Sequence, residues 1–98
     1  MNIFSKKRPS IEKMANKLYK RYLNSSVSER EWFKTATLEQ VTSRHASLGT
    51  QIRNEFKLWE YYWEKNIVEG VDHSPEHPDA VSERVIKELW IKVQNEQA

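Results

Sequence analysis

Eight residues, Leu38, Val41, His45, Leu48, Ile52, Phe56, Trp59 and Trp63, follow one another in steps of three or four. Such steps lay all eight along one face of an α-helix and are incompatible with the two-residue period of a strand. The spacing predicts a helix from Leu38 to about Lys65, continuous or kinked near Trp59. Gly49 falls inside it, at a cost of about 1 kcal/mol relative to alanine. With only 2 glycines and 3 prolines in 98 residues, the chain lacks the punctuation of a turn-rich β fold.

The remaining elements are read the same way. Ser10 is placed to cap a first helix whose core positions are Ile11, Met14, Ala15, Leu18 and Tyr22. Ser28 to Glu31 forms a capping-box pattern, with Ser26 to Glu29 as a competing register, and opens a short helix carrying Trp32 and Phe33. Thr37 to Gln40 repeats the pattern at the head of the central stripe. Gly70, Pro75 and Pro78 mark residues 66–78 as a loop. Asp79 or His77 then starts a last helix with Val81, Val85, Ile86, Leu89, Trp90 and Val93 on its buried face.

The expected architecture is an all-α bundle of four helices, at about 10–22, 28–35, 38–65 and 79–95, with one long central helix. Residues 1–9 are expected to form a flexible basic arm and 10–98 a single helical domain. The central and last helices should pack antiparallel, with Leu48, Ile52, Phe56, Val85, Leu89 and Trp90 between them, and the first helix should close the other side.

Two stretches resemble motifs of a known family. Residues 48–59 read Leu48-Gly49-Thr50-Gln51-Ile52-Arg53-Asn54-Glu55-Phe56-Lys57-Leu58-Trp59. The other stretch is His77-Pro78-Asp79-Ala80-Val81-Ser82, followed by Val85-Ile86-Lys87-Glu88-Leu89-Trp90. In this order they resemble the LGxxIRNxxxLW and HPDxxSxxIIxxLW motifs of an uncharacterised family of small bacterial helical domains. The resemblance covers about residues 26–94, and the chain departs from it in having Ala80 where a second Asp would stand. It implies a helical fold and carries no activity. It marks Arg53, Asn54, His77 and Asp79 as motif polar residues, expected to be structural, with Asp79 as the ion partner of Arg53.

Composition narrows the function classes. There is no cysteine, hence no disulfide, cysteine–zinc site or thiol nucleophile, in keeping with a reducing cytoplasm. No apolar stretch approaches the ~20 residues that span a bilayer, and the basic N-terminus has no apolar segment after it. No base-activated nucleophile is legible, so no catalytic residue and no cofactor are assigned. His45, inside the apolar stripe, reads as a hydrogen-bonded core residue. His73 and His77, with Asp79, have ligand chemistry for a divalent metal and would make a metal-dependent hydrolase. Pro75 between the two histidines breaks the helical geometry their spacing needs, and no metal is assigned.

The formal net charge of +2 conceals a segregation: residues 1–23 carry +6 and residues 60–83 carry −6. The acidic segment overlaps a run of aromatics, and Glu60, Tyr61, Tyr62, Glu64, Glu69 and Asp72 are the candidate protein-binding residues. They point to a non-catalytic cytoplasmic interaction module of the inhibitor, immunity or adaptor kind, from a bacterium or phage. Its partner is an unidentified protein, or a second copy of the chain paired through Tyr61 and Tyr62. The alternative is nucleic-acid binding through Lys6, Lys7, Arg8, Lys13, Lys17, Lys20 and Arg21.

Overall fold

The computed structural model describes residues 8–96, with His45 and Ala46 described in backbone only. It is mainly helical, in the order α1 (Ile11–Leu23), α2 (Val27–Thr35), α3 (Leu38–Ser43), α4 (His45–Glu55), a 3-10 turn (Leu58–Glu60), a hairpin of β1 (Ile67–Val68) and β2 (Val71–Asp72), and α5 (Pro78–Asn95). The small helical domain expected from the sequence is the one observed. Its long helix, however, is the last one.

Helix starts follow their side-chain chemistry. The Ser10 hydroxyl accepts from the Lys13 amide and Ser26 from that of Glu29, so α2 uses the earlier of its two possible registers. Thr37 and Gln40 form a complete capping box. His77 opens α5 through Nδ1, which accepts from the Asp79 amide, and Pro78 occupies the first turn, where its missing N–H costs nothing.

The central segment departs from the continuous helix expected over 38–65. It breaks first at Arg44, whose φ of −80° and ψ of 4° separate α3 from α4. The Arg44 guanidinium lies 3.6 Å from the centroid of the Trp32 ring and 3.6 Å from Glu29 Oε1, which ties the break to α2. It ends at Lys57, which adopts the left-handed conformation with φ 52°. That turn shifts the buried position by one residue. Leu58 enters the core at 3% exposure, while Trp59, expected on the core face, is 52% exposed.

α5 is the central strut and packs against α1, α2, α3 and α4. Val81, Val85, Ile86, Leu89 and Val93 are buried on it as expected, and Trp90 is partly buried. They meet Met14, Ala15, Leu18 and Tyr22 of α1, Phe33 of α2, Val41 of α3 and Ile52 of α4 in one cluster. The start of α5 lies by the end of α4, where Arg53 meets Asp79 and Ser82, as antiparallel helices require. α5 also caps α2: Trp90 Nε1 donates to the Ala36 carbonyl at 2.9 Å, and Gln94 Nε2 to that of Phe33 at 3.3 Å.

Candidate functional site

The candidate surface lies on the non-helical excursion between α4 and α5. At its tip Glu69 (φ 51°) and Gly70 (φ 81°) both adopt positive φ, the signature of a two-residue type I′ hairpin turn. Ile67 pairs with Asp72 and Val68 with Val71. A two-residue ladder is too short to stand unsupported. Asp72 supplies the support. Its Oδ2 accepts from Trp63 Nε1 at 2.9 Å, and its Oδ1 accepts from the amides of Asn66 (3.0 Å) and Ser74 (2.9 Å). These donors, the Trp63 indole first, hold the Asp72 carboxyl down at about 2. The buried Ser74 hydroxyl then accepts from the Glu76 amide at 3.1 Å and leads the chain towards α5.

Three rings fasten this excursion to the helix start. Trp59, Trp63 and His77 meet edge to face, with centroids 5.3–5.9 Å apart. With His77 Nδ1 engaged by the Asp79 amide, the imidazole is both helix cap and packing surface. Arg53 reaches Asp79 at 3.3 Å, the partner expected from the sequence, and donates to Ser82 (3.1 Å) and Thr50 (3.0 Å). Asn54 is exposed. Among the described residues no three of His, Cys, Asp and Glu are arranged to hold a metal, and His73 lies exposed on the excursion.

The six candidate binding residues separate into two groups. Glu60, Tyr62, Glu64 and Glu69 are exposed, and Tyr61 is half-buried. Asp72 departs from its expected role, because three N–H groups converge on its carboxylate and make it the internal brace of the hairpin. The sequence reading missed the apolar contribution to this surface. Ile67, Val68 and Val71 are 57%, 50% and 56% exposed, Val68 and Val71 on one face of the hairpin and Ile67 on the other, and on the same excursion Trp59 and Tyr62 are 52% and 63% exposed. The available signal was Gly70 set between β-branched Ile67-Val68 and Val71, a short hairpin pattern.

The basic candidates are partly neutralised within the fold. Arg8, expected in a flexible arm, pairs with Glu76 at 2.9 Å. Arg21 forms a bidentate pair with Glu55 at 2.6 and 2.7 Å, which holds the Glu55 carboxyl below its usual range. Lys17 lies 3.8 Å from the same carboxylate and 5.5 Å from the Phe56 ring centroid. Lys13, Lys17 and Lys20 line one open groove with Asn16 and Phe56. Lys6 and Lys7 lie outside the described residues, as does the side chain of His45.

Fold and surface together define a small helical domain with an acidic and apolar excursion. Among the described residues, no helix is long and apolar enough to cross a membrane. The chain matches no family model, no curated protein and no solved structure.

Proposed function

We propose that this chain is a non-catalytic, cytoplasmic interaction module that docks a protein partner through the excursion of residues 58–72. The observation that carries the proposal is the concentration of exposed Trp59, Tyr62, Ile67, Val68 and Val71 on one braced segment with Glu60, Glu64 and Glu69. Apolar groups left in water at this density are characteristic of interaction surfaces, and aromatic anchors carry much of the binding energy in such contacts. Acidic neighbours add steering towards a basic partner. The role is that of an inhibitor, immunity or adaptor protein.

Affinity capture from the source cell, comparing wild type with Tyr62→Ala/Glu64→Lys, tests the surface. The variant is expected to keep its circular dichroism and lose the captured protein. Equal recovery by both forms would sink the assignment. Light scattering on the purified chain separates a foreign partner from a second copy.

A second reading, nucleic-acid binding, is favoured by the groove of Lys13, Lys17, Lys20 and Phe56, which combines cations on successive turns with an aromatic ring. It predicts oligonucleotide affinity that falls steeply between 50 and 200 mM salt, as counterion release requires, measured by fluorescence anisotropy. Absence of binding at the lower salt would dispose of it.

A further inference from the structure

A cavity of about 160 Å³ opens between α1, α2 and α4, with α5 at its base. Its apolar lining comprises Leu18, Tyr22, Phe33, Leu48, Ile52 and Leu89. All of these except Leu48 are buried core residues. Well-packed interiors keep few voids larger than a water molecule. An apolar void of about 150 Å³ lined by Leu, Ile and Phe stays dry and takes up benzene. The present cavity is similar in volume and has an apolar floor, and it opens to the surface through a polar mouth of Arg21, Ser25, Glu29, Gln51 and Glu55.

The mouth decides the charge of the occupant. Three charged side chains line it, and each is already ion-paired: Arg21 with Glu55 at 2.6 Å, and Glu29 with Arg44 at 3.6 Å. A charged ligand would have to displace a partner from one of these pairs. Gln51, also at the mouth, offers an uncharged amide able to meet a single N–H or O–H. We propose that this cavity binds a small, uncharged aromatic molecule of the size of phenol or indole. Its ring lies among Phe33, Leu48 and Ile52, and its one polar atom faces Gln51. The site is separate from the excursion and does not depend on the function proposed for it.

The test is a titration of the ¹⁵N-labelled full chain with indole, followed by NMR. Saturable shifts confined to α1, α2, α4 and the Leu89 turn are expected. Leu48→Phe, which fills the cavity, and Gln51→Trp, which covers its mouth from an exposed position, should each weaken binding at least tenfold. Gln51→Trp keeps the test decisive if Leu48→Phe fails to fold. Four results would overturn the proposal. These are no shifts up to the solubility limit of indole, shifts centred on Trp59 and the hairpin, equally tight binding of indole-3-acetate, or binding of a Trp-containing peptide but not of indole.

Discussion

Asp72 shows how one carboxylate organises a segment that has almost no ladder of its own. Trp63, Asn66 and Ser74 all donate to it. In the folded chain its pKa is lowered to about 2, whereas the unfolded chain restores the ordinary carboxylate value. As pH falls, the unfolded state therefore binds the proton first. The stabilisation is complete above the ordinary value and drains away as pH falls towards 2. The Trp63 indole N–H resonance should report this midpoint near pH 2, and Asp72→Asn should abolish the titration while loosening the hairpin. Tyr22 behaves in the opposite sense. Burial, and then the nearby Glu96 carboxylate, push its phenol up to about 12. Its contribution is present below the ordinary value of 10 and is lost as pH climbs from there through 12. Tyr22→Phe should flatten that alkaline limb in denaturation curves taken from pH 9 to 12. Neither effect was legible in the sequence, because Trp63 and Asp72 are nine residues apart, and Tyr22 and Glu96 seventy-four.

At the scale of elements, short-range chemistry was readable. The caps at Ser10 and Thr37 and the buried faces of α1 and α5 follow from side-chain type and spacing. The central stripe was over-read, since a three-four step pattern survives a change of direction if each piece still offers an apolar face. Arg44 and Lys57 interrupt it, and neither is a glycine or proline. Lys57 stays left-handed because the turn delivers Leu58 to the core. A left-handed L-residue costs roughly 1–2 kcal/mol, part of which glycine returns as unfolded-state entropy. Lys57→Gly should therefore raise stability by about 0.5–1 kcal/mol, visible as a higher urea midpoint at unchanged slope.

Across the whole molecule, stability resides where α5 meets the other helices. Ile86 is fully buried in the cluster that joins them, so Ile86→Ala should cost about 2–5 kcal/mol in chemical denaturation. The Arg8–Glu76 ion pair, which links the basic and acidic ends, weighs far less. Glu76 is half-exposed in its pair with Arg8, and Arg8→Ala should change stability by less than about 1 kcal/mol, with the difference shrinking in salt. Among the described residues the Arg8–Glu76 pair joins the opposed charges of the two ends, while Glu60, Glu64 and Glu69 remain exposed.

By itself the sequence determined the helical class, most helix starts and the buried faces of the first and last helices. These depend on interactions within four residues, where residue identity is enough. Tertiary structure decided where the central stripe breaks, that α5 is the strut, and that Asp72 is a brace rather than a presented acid. It also decided that Ile67, Val68 and Val71 face water on a hairpin. Each of these outcomes depends on which distant groups arrive at the same place, and residue spacing along the chain carries no record of that.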